Sequence, residues 1–264
     1  MLNEQNALII NADDFGASAS INQAVVESFQ RGWITHASLM ANMPAFDEAC
    51  ELIEKHGLQA RIGVHLNLSR GKPLTSAIRQ VGWLCGPNGD FRPHRRHRLW
   101  LAPAERRAIA DELTAQIRAC QARGLALTHL DTHQHYHYIW PLCSLLLRLA
   151  GHFHVPAIRI HRNFGVAIRP ASRVYSRLFN ARLRLRHVAR SACFCHLDDV
   201  LALGVPEQAR VEIMVHPDLN SQGAVIDGAR FDAATAPLLE RCMPDIVARH
   251  AGHGGSEHKQ VIKS

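Results

Sequence analysis

The chain has 264 residues, 47% of them hydrophobic and 20% charged. That is enough for one sizeable core at a length close to what a β/α barrel uses, and it excludes global disorder. The formal net charge of +7 favours anionic partners, which leaves nucleic acid, phospholipid surfaces and phosphorylated substrates open.

The first residues, MLNEQNALII, lack a basic n-region and a long apolar h-region, so no secretory signal is expected. No run of about 18 apolar residues follows, which leaves a cytoplasmic protein as the default expectation. Residues 7–11 read as a buried parallel strand. Ser20-Ile21-Asn22-Gln23 reads as a capping box opening a helix that stops near Gly32. A strand is expected over 35–40, a helix over 46–56 closed by Gly57, and a third strand over 61–68 that delivers His65. Residues 70–102 hold many Gly and Pro and the basic run His94-Arg95-Arg96-His97-Arg98, and read as a lid-like insertion near the site. A helix from Pro103 to about Arg123 precedes a fourth strand over 125–130. Beyond it come a helix at 139–150, a short strand at 157–160, a basic amphipathic helix at 171–188, strands at 192–196 and 211–215, and a final helix at 232–249. Residues 1–250 read as a single domain, and 251–264 as a disordered tail.

This alternation of strands and helices indicates an α/β protein with a parallel sheet. A barrel and an open doubly wound sheet share that pattern, and no glycine-rich nucleotide fingerprint follows the first strand. Seven cysteines occur without a CxxC pair, and Cys193-Phe194-Cys195 is too tight for the usual zinc spacing. They read as buried thiols in a reducing compartment.

Chemistry-bearing residues follow four of the strands. Asp13 and Asp14 leave the first together; one carboxylate could bind a metal while the other acts as base or anchor, and the plain alternative is a pair capping the next helix. His65 sits at a strand end, where it suits either a metal ligand or a hydrogen-bonded core imidazole. His129, Asp131, His133, His135 and His137 alternate at period two, so an extended chain puts them on one face. Facing an apolar core, that set would be prohibitively costly to desolvate; a polar cavity or metal site is the economical explanation. His216, after the strand 211–215, reads as a general acid or as a loop histidine.

In Asn11-Ala12-Asp13-Asp14-Phe15-Gly16, Ala37-Ser38-Leu39-Met40, Gly63-Val64-His65-Leu66, Gly71-Lys72-Pro73-Leu74, Thr128-His129-Leu130-Asp131-Thr132-His133 and Met214-Val215-His216-Pro217, the chain resembles the YdjC-like carbohydrate deacetylases. The resemblance covers about the first 220 residues. It implies a (β/α) barrel of the glycoside hydrolase/deacetylase type, complete, distorted or seven-stranded. It also implies metal-dependent removal of an N-acetyl group from an amino sugar or other N-acetylated saccharide, free or lipid- or phosphate-linked. By residue it makes Asp14, His65 and His133 the ligands of one divalent ion, Mg or Zn, and Asp13 the base. His216 and Arg159 match positions near the site. His216 is assigned the proton transfer to the leaving amine, and Asp131, His129, His135 and Arg159 are expected to touch substrate or orient the ligands. A Fe(II) oxygenase is the alternative for two histidines and one carboxylate. The chain departs from the family at His133-Gln134-His135-Tyr136-His137 and in its arginine-rich helix.

Arg169, Arg173, Arg177, Arg182, Arg184, Arg186 and Arg190 crowd that helix, and Val174, Tyr175, Leu178, Phe179 and Leu185 give it an apolar side. It reads as a solvated helix packed on the barrel, or as a contact for an anionic lipid surface or a phosphorylated carrier. No nucleic-acid motif accompanies the charge, and a homodimer is left open.

Overall fold

The structure, a computed structural model, describes residues 8–93, 99–166, 168–206 and 210–228, together with 243–244 and 246–247. The elements run β1 (Leu8–Phe15), α1 (Ala19–Gln30), β2 (His36–Leu39), α2 (Phe46–Lys55), β3 (Ile62–Leu66), α3 (Pro103–Ala122), β4 (Leu130–Thr132), α4 (Trp140–His152), α5 (Pro170–Leu185), β5 (Cys193–His196), α6 (Leu197–Leu203), β6 (Val211–Val215), β7 (Pro217–Leu219) and β8 (Val225–Asp227). Strands β1 to β6 form one parallel sheet in the order β4-β3-β2-β1-β6-β5, and β7 and β8 form an antiparallel hairpin.

The sheet is curled, and one side chain demonstrates it. Asp131 on β4 and Glu212 on β6 are four strand positions apart, roughly 19 Å in a flat sheet. Arg159 nevertheless bonds both, with Nη2 2.9 Å from Asp131 and Nε 2.8 Å from Glu212. The result is a six-stranded half-barrel, in keeping with a distorted barrel and not with a complete or seven-stranded one. The strand expected at 157–160 is reduced to Ile158, which makes single parallel bridges to Leu130 and Ala189. Pro156 has no N–H to extend that ladder. Across the remaining gap, the Asn163 N–H donates to the Phe194 carbonyl at 3.3 Å.

Local sequence explains most elements. Apolar strand residues are buried on both sheet faces: every residue of β3 and of β6 is buried. Ser18, not Ser20, caps α1, with its Oγ accepting from the Ile21 N–H at 3.3 Å. The cap falls two residues early because β1 runs on through the Asp pair to Phe15 and turns at Gly16, whose φ is +89°. The 70–102 insertion is not a free lid in its described part. Ile78, Leu84, Cys85 and Phe91 are buried in the same core as the strands, and Glu112 of α3 accepts from the N–H groups of Leu74 and Thr75. The run 94–98, the tail 251–264 and most of the helix expected at 232–249 lie outside the described residues. The six cysteines among the described residues are free and buried. Among those residues no helix is long and apolar enough to cross a membrane.

Candidate active site at the strand ends

Two adjacent strand residues ordinarily point to opposite faces. Asp13 and Asp14 escape this because the register of β1 against β2 slips between Ala12 and Phe15, and Asp14 takes a φ of +66°. Aspartate tolerates this left-handed conformation better than most residues. The bulge turns both carboxylates to the same site.

Asp14 Oδ1 lies 3.1 Å from His65 Nε2 and 2.9 Å from His133 Nδ1. One donor atom from each of the three falls within 4.8 Å of the others. Burial opposes ionisation of Asp14, but hydrogen bonds from His133 and His65 outweigh it and hold its pKa well below the carboxylate range. His65 is buried, which disfavours its charge, yet Asp131 and Asp13 outweigh burial and lift its pKa to about 10. Both its ring nitrogens face carboxylates, since Nδ1 is 2.8 Å from Asp131 Oδ1. Asp14 and His65 would hold a divalent ion with the His65 Nε2 deprotonated, and Asp131 fixes the ring through Nδ1. One carboxylate and two imidazoles, one of them braced by a second carboxylate, fit such an ion.

Beneath this trio lies a buried ionic network. Arg159 has no exposed surface. Its Nη1 and Nη2 each donate to an Asp13 oxygen at 2.7 Å. Asn11 donates to Asp13 Oδ1 at 2.7 Å, and Arg190 binds Glu212 at 2.9 Å and Asn11 at 3.1 Å. Ser38 donates to Asp131 Oδ2 at 3.0 Å. Burial raises the pKa of Asp13, and Arg159 with His65 overcomes it, so the carboxyl is held far below its ordinary value.

The five-residue alternation from His129 to His137 does not share one face. Extended geometry ends at Thr132, and residues 133–138 coil into a 3-10 turn in which Gln134 and His135 have φ of 53° and 56°. His133 turns to Asp14, whereas His135 stacks on Tyr138 at 5.0 Å and on His196 at 5.8 Å between centroids. His137 is fully buried and pairs with Thr132 Oγ1 at 2.7 Å. His129 is likewise fully buried, its ring against Gly63, where a Cβ would collide with it at 2.3 Å. Neither it nor Arg159 has any exposed surface.

His216 follows β6 with its side chain a quarter exposed, and its Nδ1 lies 3.7 Å from Asp227 Oδ1. The His216 N–H donates to the same oxygen at 3.3 Å, and its carbonyl accepts from Gly228, so the β7–β8 hairpin frames it. Its charge acts on Asp13. Glu212 and Asp227 carried no expectation, Asn11 and Ser38 appeared only as members of the motifs, and Arg190, counted with the basic helix, belongs instead to this buried network. The signal for Glu212 was present, a lone acid inside Val211-Glu212-Ile213-Met214-Val215.

A family model described as YdjC-like protein matches residues 7–243. A carbohydrate deacetylase of Vibrio parahaemolyticus is 30% identical over 242 residues, which is 88% of this chain and 89% of that protein. One of Brevibacillus brevis is 38% identical over 149 residues, 56% of this chain, so the match spans little more than half, 57%, of that relative's length. A solved Enterococcus faecalis protein, named for cellobiose-phosphate cleavage, superposes with a TM-score of 0.67 over 93% of this chain and 95% of its own, at 22% identity, which speaks to the fold. These relatives give no support to an oxygenase. The chain belongs to the YdjC-like family, whose curated relatives carry the name carbohydrate deacetylase.

Proposed function

We propose that the chain is a metal-dependent hydrolase that removes the N-acetyl group from an amino sugar or other N-acetylated saccharide. The observation that carries this reading is the convergence of Asp14, His65 and His133 beside an ionised, arginine-held Asp13. Asp14, His65 and His133 would hold one divalent ion, Zn favoured by the imidazoles and Mg compatible with the carboxylate, which supplies carbonyl polarisation and a more acidic water when bound.

Arg159 occupies one lone pair on each Asp13 oxygen, and Asn11 takes a second on Oδ1. Oδ2 keeps a lone pair free and is the proton acceptor for the water that attacks the acetyl carbon. The C–N bond then breaks, and His216 donates a proton to the departing amine, leaving acetate and the free amino sugar. Asp227 holds His216 in position for that transfer.

Acetate release from free, oligomeric, nucleotide-linked and lipid-linked N-acetylamino sugars, with added Zn or Mg and with chelator, tests the proposal. Metal-dependent release from at least one member is expected. No release from any member by metal-loaded protein would refute it.

A further inference from the structure

Helix α5 has two apolar faces. Ser176, Phe179, Asn180 and Leu183 form its buried side. Val174, Leu178 and Leu185 lie on the opposite side, within about 40° of one another at the helical period. They are 57%, 60% and 80% exposed. The expected single apolar side is therefore split, with Phe179 in the core and these three aliphatics facing solvent. A helix merely packed on the sheet would carry polar groups there. Single exposed aliphatics are unremarkable, but an aligned ridge of them marks a contact surface.

Arginines line both edges of the ridge. At the helical period, Arg173, Arg177 and Arg184 fall on one side, and Arg182 and Arg186 on the other. Residues 169–190 contain no Asp or Glu. Trp140, 39% exposed, stands beside the helix with the Arg182 guanidinium 4.9 Å over its ring. The N-terminal half of α5 is tied to the strand-exit side of the sheet, through Tyr175 to the Tyr138 carbonyl and Ser176 to His161.

We propose that this face of α5 docks on an anionic lipid bilayer, with the aliphatic ridge in the acyl boundary and the arginines on lipid phosphates. Arginine stems can lie along apolar surface while their heads reach the phosphates, and tryptophan favours the same interface. Anionic charge on both sides of a shallow ridge is what a bilayer presents to an interfacial helix. A second copy of the chain fits worse, because a two-fold contact would oppose the same arginine rows. This proposal stands independently of the reaction proposed above.

The test is sedimentation of the full chain with vesicles of equimolar phosphatidylglycerol and phosphatidylcholine, and with phosphatidylcholine alone. Binding to the anionic vesicles only, weakening with salt, is expected. Leu178→Glu/Leu185→Glu changes two exposed positions, so it should keep the parent melting temperature and abolish binding. Arg173→Gln/Arg177→Gln should weaken binding roughly 30-fold, from about 5-fold per arginine. Arg106→Gln/Arg107→Gln, with the same charge loss on α3, should cost less than 3-fold, roughly the long-range share alone. Equal binding to both vesicle types, retained binding in the Leu178→Glu/Leu185→Glu variant, or equal losses from the two arginine pairs would overturn the proposal. So would failure to bind anionic vesicles. A dimer lost in the leucine variant would then assign the ridge to a second copy, and a monomer would assign it to a protein partner.

Discussion

Arg159 is the most consequential single side chain outside the reacting centre, and its removal has a calculable cost. The guanidinium makes two contacts of 2.7 Å to Asp13, one of 2.9 Å to Asp131 and one of 2.8 Å to Glu212. In Arg159→Met the three acids fare differently. Glu212 keeps Arg190, and Asp131 keeps His65 and Ser38, whereas Asp13 keeps only the neutral Asn11 donor and the His65 ring at 3.9 Å. One buried carboxylate therefore loses both of its close charged bonds, which costs about 3–5 kcal/mol. Arg190→Met removes one bond to Glu212 and one to Asn11 but leaves Glu212 paired with Arg159, so it should cost about 2 kcal/mol. Urea titration in chelator, so that metal binding does not contribute, reads both values. For a slope of about 3 kcal/mol per M, Arg159→Met should lower the midpoint by roughly 1–1.7 M. An Arg190→Met cost equal to that of Arg159→Met, or an Arg159→Met stability within about 1 kcal/mol of the parent, would refute this role for Arg159.

Three further outcomes follow from the site and the core. Added Zn or Mg should raise the melting temperature of the parent, by about 2.7 kcal/mol of stability at a hundredfold excess over Kd, and leave His133→Ala unmoved; an equal rise in both would remove His133 from the ligands. Asp13→Asn should bind metal like the parent yet lose roughly 100-fold or more in kcat, and parent-like turnover would dismiss it as the base. Burial holds the His36 imidazole down to about 3. The unfolded chain therefore takes up a proton there below pH 6.5 that the folded chain refuses, and the contribution present above pH 6.5 is lost as pH falls toward 3. Between pH 7.5 and 5.5 the loss is about 1.4 kcal/mol, so His36→Asn should have a pH–stability profile flatter by that amount, and parallel profiles would refute it.

The sequence made the periodic parts of the fold readable. Strands β1 to β3 and helices α1 to α4 follow from apolar runs, helical spacing and the glycine and proline punctuation. What failed to show depends on contacts distant in sequence. Closure of the barrel turned on whether residues 157–160 found partners on both sides, and Ile158 alone did. The His129–His137 alternation promised an extended face, but two left-handed residues, Gln134 and His135, break it. Neither is a glycine, so no local signal announces the turn. The hairpin β7–β8 has an ordinary turn at Asn220–Gly223, where Asn220 Oδ1 accepts from the N–H groups of Gln222 and Ala224.

The site divides along the same line. Asp13, Asp14, His65, His133 and His216 stand at strand exits, where a polar residue interrupts an apolar run and is visible from sequence. The residues that position them sit inside strands or arrive from elsewhere: Glu212 within β6, Ser38 within β2, Asp227 on the hairpin. An ionised group in a buried strand is tolerable only with a partner, so each such residue predicts another without naming it. Glu212 required a buried cation, and two arginines answer, Arg159 from beyond α4 and Arg190 from beyond α5. That pairing settles the orientation of Arg159. Its Nε is committed to Glu212, and its two terminal nitrogens are left to grip Asp13 and Asp131. Glu212→Gln should therefore loosen the Arg159 grip on Asp13 while leaving the Asp14–His65–His133 trio intact. The expected signature is unchanged metal affinity with a lowered kcat; loss of metal affinity in that variant would show that the two layers are not separable.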